Sequence, residues 1–252
     1  MWKTHFMRTE LHFHLLPAID DGPHDLDEAV ALARLAVADG TRVVTATPHV
    51  RDLLRAGALG ELPARVRQVQ AALDSAGVPL TVQTGAELAH PDLECLSDAD
   101  LDAIAHGPAG RRWVLIEAPL FGDAHGFLDA TAELRARGFG TVIGHPERSP
   151  ELMAIPGALS HERAEGALAQ VNASSLTGRH DRAARRWGLE LVRSGQADLI
   201  ASDAHRVTRP PQLTAAVAAL ADAGVPRPVR AALVELPGML LEHGIAPLAH
   251  AA

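Results

Sequence analysis

The sequence predicts a parallel α/β barrel, and three observations carry that expectation. Seven short runs, ELHFH, TRVVTATPH, PLTVQTGAE, RWVLIEAP, GTVIGHPER, ALAQVNASS and ADLIASDAH, are rich in Val, Ile, Leu and Thr and have the length of buried strands. Helical patterns lie between them, and strand, helix and strand in alternation favours a closed parallel barrel over an open sheet. Most of the runs end in or just after His, Glu, Asn or Asp. Because parallel α/β folds collect their chemistry at the C-terminal ends of strands, these polar endings are expected to face one centre.

The helices follow in order. DLDEAVALARLAVADG reads as a helix capped by Asp25 and stopped near Gly40. ELPARVRQVQAALDSAG, HGFLDATAELRARG and RAARRWGLELVRSG each close on a glycine suited to a left-handed helix terminus. No linker-like or low-complexity stretch divides the 252 residues, so a single domain spanning 1–252 is expected.

Composition excludes several classes. No run of about 18 apolar residues and no apolar N-terminal signal region is present, which predicts a soluble, cytoplasmic protein without a membrane span. The single cysteine, Cys95, rules out an internal disulfide and a cysteine-rich zinc site. Net charge is −8 with no basic block, which argues against a nucleic-acid partner. Lys3 is the only lysine. A barrel amidohydrolase that bridges its metals with a carboxylated lysine is therefore improbable. A thiol phosphatase of the Cys-x5-Arg type fails as well, because Leu101 stands six residues after Cys95.

The remaining chemistry is metal chemistry. On a strand, residues i and i+2 share a face, so His12 and His14 can reach one ion. Asp203 and His205 repeat that spacing at the other end of the chain, and barrel closure makes the first and last strands neighbours. His49, Glu87, Glu117 and His145 come from the strand ends between, and Asp21 from the loop after the first strand. These nine oxygen and imidazole donors, with no thiolate, suit two or three divalent ions such as manganese, iron or zinc. Asp20 reads as a turn residue with Gly22, and the other nine histidines as solvated surface. Arg148 and Arg209 follow closely on His145 and His205, and a guanidinium fork beside metals suits a phosphoryl oxygen. Arg206 is expected to point away.

Taken together, ELHFHLLPAIDDG, TATPH, GAE, IEAP, GHPER, VNASSLTG and ASDAHRVTRPP resemble the motifs of the PHP-domain phosphoesterases. Within that group they are most similar to the bacterial manganese-dependent protein-tyrosine phosphatases of the CpsB/YwqE type, associated with capsule and exopolysaccharide synthesis. The resemblance runs from about Met7 to Pro211. It implies a distorted (β/α)7 barrel of the PHP type holding three divalent metals, manganese first. By motif, His12, His14, Glu87 and Asp203 hold the first ion, Glu87, Glu117 and His145 the second, and Asp21, His49 and His205 the third. Arg148 and Arg209 fall on phosphate-binding positions; for proton handling at such a cluster the candidates are Asp203 or a histidine such as His49. Glu10 departs from the aspartate usual before HxH, the stretch from His205 to Arg209 is one residue short, and residues 1–6 precede the usual start.

The implied function is a metal-dependent phosphatase acting on a phosphotyrosyl protein, a bacterial tyrosine kinase among the candidates, with regulation of capsule synthesis as its setting. A PHP-type histidinol-phosphate phosphatase or other small-phosphomonoester hydrolase is the alternative with the same chemistry. A non-catalytic metal-binding scaffold is the alternative of another class, opposed by the complete donor set.

Overall fold

The computed structural model describes residues 7–246. The expected N-terminal extension, with Lys3 and His5, and also His250 lie outside the described residues. Among the described residues eight strands run in order as β1 Arg8–Phe13, β2 Thr41–Ala46, β3 Thr81–Thr84, β4 Glu87–Ala89, β5 Trp113–Glu117, β6 Gly140–Gly144, β7 Leu168–Asn172 and β8 Leu199–Ala201. They form two parallel ladders, β1-β2-β3 and β4-β5-β6-β7-β8. Isolated parallel bridges, His49 to Glu87 and Phe13 to Ala204, join the ladders at both seams. Backbone bonds hold these seams, from Glu87 N to Pro48 O (3.0 Å), His14 N to Ala204 O (2.8 Å) and Asp203 N to His12 O (3.1 Å). First and last strands thus meet in a distorted barrel.

Eight strands replace the expected seven because PLTVQTGAE is two. β3 pairs only with β2, and β4 only with β5 within the ladders. The chain changes ladder at Gly85, where a Cβ would collide with the His106 imidazole and lie 2.7 Å from Thr45 Cγ2. Gly85→Ala is therefore expected to cost about 1–3 kcal/mol, as overpacking does, seen as a lower midpoint in urea unfolding. An unchanged midpoint would show that the crossing has room to spare.

His106 itself corrects an expectation, since it is buried rather than solvated. Its backbone pairs with Trp113 in both directions, and burial together with nearby Arg112 pushes its imidazole down to about 3. A neutral ring can lie against Trp113 without the cost of burying a charge.

The expected helices form as Leu26–Ala38, Leu62–Ser75, Ala124–Ala136 and Arg182–Arg193. Asp25 caps the first by accepting from Glu28 N at 2.8 Å, and Gly40 leaves it with φ of 100°. Alternate strand residues enter two cores. Phe13, Val44, Val114, Ile143 and Ile200 pack outward beneath the helices. Leu11, Trp113, Leu115, Val142 and Leu199 fill the barrel. The helix Arg227–His243 plugs the barrel's N-terminal mouth, where Trp113 Nε1 donates to Leu240 O and Ile245 N to Arg111 O. With that mouth closed, the open rim is the C-terminal one. Among the described residues no helix is long and apolar enough to cross a membrane.

Candidate metal centre

After an irregularity in the β1–β2 pairing between Glu10 and Phe13, alternation turns Phe13 outward and sends His12 and His14 together toward the rim, while Leu11 faces the barrel interior. His49 follows β2, Glu87 opens β4, Glu117 ends β5, His145 follows β6, and Asp203 and His205 follow β8. The spacing argument holds for His12 and His14 but not for Asp203 and His205. β8 stops at Ala201, and Asp203 turns into the left-handed region with φ of 51°. His145 does the same at φ of 37°. Such backbone costs about 1–3 kcal/mol per residue and concentrates where a side chain must be aimed.

All nine sequence-predicted donors come together. They fall into four overlapping sets with ligand atoms within 4.8 Å of one another: His14, Asp21, His49 and His205; His12, His145 and Asp203; His12, His14 and Glu87; and His49, Glu87 and Glu117. Glu87 sits in the middle. Its Oε1 lies 3.2 Å from both His12 Nε2 and His145 Nε2, and its Oε2 lies 3.4 Å from His14 Nε2 and 3.1 Å from His49 Nδ1. Asp203 Oδ1 is 3.4 Å from His12 Nε2 and 3.4 Å from His205 Nδ1. At the rim, Asp21 Oδ1 is 3.1 Å from His205 Nε2 and 3.6 Å from His49 Nε2.

Proton accounting tests whether these groups suit cations. Asp203 Oδ2 accepts from Asn172 Nδ2 (2.8 Å), so Asn172 Oδ1 is left to accept from Gln170 Nε2 (2.8 Å). Gln170 Oε1 then accepts from His12 Nδ1 at 2.9 Å. The proton of His12 is thereby placed on Nδ1 and its lone pair on Nε2. Asp20 Oδ2 does the same for His14 Nδ1 at 2.7 Å, and the Asp203 carbonyl for His205 Nδ1 at 2.9 Å. The freed Nε2 atoms of His12 and His14 face each other at 3.4 Å among carboxylate oxygens. Lone pairs converging on lone pairs are stabilised by a cation between them, so the donor set fits divalent metal.

The titration behaviour agrees. Burial opposes charge on His14 and His49, yet Asp20 and Glu87 drive the first up to about 10, and Asp21 and Glu87 the second up to about 11. Burial would raise Glu87 and Asp203, but the surrounding imidazoles hold both well below the usual carboxylate range. Asp21 is held low by hydrogen bonds from His205 and His49. Glu117 moves the other way, raised by burial and by the Glu87 charge. The carboxylates thus attract positive charge to the imidazole nitrogens, whether a proton or a metal ion.

Arg148 and Arg209 border this cluster. Arg148 Nη1 and Arg209 Nη2 lie 3.3 and 3.4 Å from the same atom, Asp203 Oδ2, and Arg209 Nη1 is 3.3 Å from Asp21 Oδ2. Arg206 instead pairs with Glu28 at 3.0 Å. A side pocket of about 420 Å³ opens beside Asp203 and Arg209, lined also by Arg179, His180 and Ser202. His180, expected on the surface, is half-buried there against Ser174 Oγ (2.7 Å) and pushed down to about 4 by burial and Arg148. A further cavity of about 760 Å³ lies at the plugged end beside His106 and holds none of the clustered donors.

Sequence reading misses the residues that aim the ligands. Asp20 does make the expected turn, accepting from Gly22 N at 2.9 Å, but it also holds His14. Gln170 and Asn172 carry the same i, i+2 signature on β7 that singles out His12 and His14 on β1. Glu10, buried in β1, accepts from Ser202 N at 2.7 Å and ties β1 to the turn that presents Asp203; burial pushes its carboxyl up to about 7.

Residues 8–241 match the family described as capsular polysaccharide synthesis, CpsB/CapC. The chain is 32% identical over 212 residues to the tyrosine-protein phosphatase YwqE of Bacillus subtilis, covering 79% of this chain and 77% of that protein. It is 28% identical over 204 residues to the putative tyrosine-protein phosphatase CapC of Staphylococcus aureus, covering 80% and 78%. A crystal structure from work on YwqE of Bacillus subtilis and CpsB of Streptococcus pneumoniae, described as unique metal-dependent tyrosine phosphatases, matches with a TM-score of 0.79 at 27% identity. It covers 97% of this chain and all of the other. The chain belongs to the CpsB/CapC family of capsular polysaccharide synthesis proteins.

Proposed function

We propose that this chain is a single-domain, cytoplasmic, metal-dependent protein-tyrosine phosphatase whose substrate is a phosphotyrosyl protein of the capsule pathway. The observation that carries the reading is the convergence of two guanidiniums on one oxygen of Asp203, whose other oxygen faces the nine-donor cluster. Metals and phosphate-binding forks then share a wall. The relatives' names as tyrosine phosphatases support the substrate class.

His12, His14, Glu87 and Asp203 hold one ion, Glu87, Glu117 and His145 a second, and Asp21, His49 and His205 a third, with manganese preferred. When bound, such ions supply Lewis acidity, lowering the pKa of water and neutralising phosphoryl oxygens. Arg148 and Arg209 orient the phosphoryl group through its outer oxygens and stabilise charge that builds there. Proton traffic falls to Asp203 and His49. His49 has a side chain 28% exposed, against 3% or less for the other four imidazoles, so it exchanges protons with solvent. A tyrosyl phenolate, with a pKa of about 10, leaves with little help from an acid. Phe121, 85% exposed on the loop after β5, offers an aromatic surface on the same rim.

The test is to purify the protein, measure its metal content, and assay an aryl phosphate, a phosphotyrosyl peptide and histidinol phosphate with Mn²⁺. Turnover of the aryl phosphate and peptide, abolished by chelator, is expected. A strong preference for histidinol phosphate would move the assignment to the small-molecule alternative, and metal-free protein without turnover would end the enzyme reading.

A further inference from the structure

One strongly charged surface is not used by the proposed mechanism. Between residues 179 and 193 stand Arg179, Arg182, Arg185, Arg186 and Arg193 against Asp181 and Glu190, a local balance of +3 in a chain of net charge −8. In sequence they are scattered, which is why no basic block is visible. The helix Arg182–Arg193 gathers four of them, because positions 182, 185, 186, 189 and 193 lie along one side. Arg182, Arg185, Arg186, Leu189 and Arg193 line an exposed groove of about 360 Å³.

Among the described residues none of these five guanidiniums pairs with a carboxylate. Arg186 lies 5.6 Å from the Trp187 ring and Arg193 donates to the Ala223 carbonyl. Elsewhere in the chain neutralisation is common, as in Arg137 with Asp98 and Glu133, Arg163 with Asp198, and Arg206 with Glu28. The groove also lies next to the site along the chain. Arg179 lines the side pocket that reaches Asp203 and Arg209, and the Arg185 side chain of the groove lies against Gly178, the chain neighbour of Arg179.

We propose that this arginine face is a docking surface for an acidic stretch of the phosphotyrosyl protein, reading Asp and Glu close to the phosphotyrosine in sequence. The inference rests on the phosphatase reading above and adds a substrate preference to it. Twelve residues of helix extend about 18 Å at about 1.5 Å per residue, a span that an extended peptide covers in roughly five to six residues. Starting from Arg179 at the side pocket, a peptide segment of that length runs along the guanidiniums of the helix. Opposite charge on the two surfaces accelerates encounter and selects among partners, and salt screens it over about 8–10 Å. A patch this local, on a chain of net negative charge, suits a short acidic peptide better than the continuous phosphate backbone of a nucleic acid.

The experiment compares kcat/KM for two phosphotyrosyl peptides that differ only in carrying Glu or Gln at the positions within six residues of the phosphotyrosine. The native protein is expected to favour the Glu peptide roughly tenfold at low ionic strength, with the ratio falling as salt is added. In the triple variant Arg182→Ala, Arg185→Ala, Arg186→Ala the ratio should fall to about one, while turnover of 4-nitrophenyl phosphate stays at the native level and reports an intact site. Equal rates on the two peptides with native protein, or a preference that survives in the triple variant, overturns the docking role and leaves the phosphatase reading standing. Absence of 4-nitrophenyl phosphate turnover by the native protein overturns both. Binding of phosphatidylglycerol vesicles or duplex DNA through the three arginines, without any peptide preference, assigns the surface to another partner and overturns the proposal.

Discussion

Glu87→Gln is expected to strip the protein of metal and to lower aryl phosphate turnover by about a thousandfold. The substitution keeps volume and removes charge at a residue whose two oxygens face four imidazoles. Losing the carboxylate costs several kcal/mol of charge stabilisation through the metals, and about 1.4 kcal/mol corresponds to a decade in rate. An amide also carries two N–H donors where only acceptors are useful. The variant's amide N–H would donate to an Nε2 lone pair of His12 or His14, whose direction is already fixed by Gln170 and Asp20, and so occupy the electron pair a metal needs. Metal analysis of the purified variant together with its rate checks the result. A Glu87→Gln protein with full metal content and native turnover would refute the central place given to this carboxylate. Glu117→Gln should be milder, because Glu117 lies at the edge of the cluster, its nearest imidazole, that of His145, 3.8 Å away.

The sequence makes the cluster legible because its members are chemically unusual for strand ends. His12 and His14 gain meaning from Asp203 and His205, and the bridge between Phe13 and Ala204 brings those pairs together. Less is legible where one residue type serves two purposes. PLTVQTGAE reads as an unbroken strand, and only Gly85 marks the change of ladder, a steric reason that needs His106 in place to be seen. His106 reads as solvated because a loop histidine usually is, yet Trp113 offers it an aromatic wall. Gln170 and Asn172 escape notice because amides are rarely metal ligands. Their role lies in fixing which nitrogen of His12 carries the proton, a property of the hydrogen-bond chain rather than of either residue. The expected elements also stop short of the helix Arg227–His243, where the internal Pro237 interrupts the helical signal near its end.

Arg148→Ala is expected to separate phosphate binding from metal binding, with kcat/KM for an aryl phosphate down roughly a hundredfold and metal content unchanged. Arg148 sits in the single turn Pro146–Arg148 after His145, and the one carboxylate it touches is Asp203, through Oδ2. The metal-facing side of Asp203 is its other oxygen, and Asn172 still binds Oδ2 when the guanidinium is gone. The cage therefore keeps its shape while the substrate loses a fork. Arg148→Lys should restore only part of the loss, because a lysine ammonium supplies the charge without the paired N–H geometry. Arg209→Ala makes the informative contrast. Arg209 also holds Asp21, so its removal should lower kcat/KM and weaken binding of the ion that depends on Asp21. The two alanine variants are thus distinguished by metal analysis at equal losses of rate. Full metal content in Arg148→Ala with native kcat/KM would remove Arg148 from the phosphate site. Loss of metal in Arg148→Ala would instead show that its contact with Asp203 supports the cage, because neutralising one oxygen of that carboxylate changes how strongly the other attracts a cation.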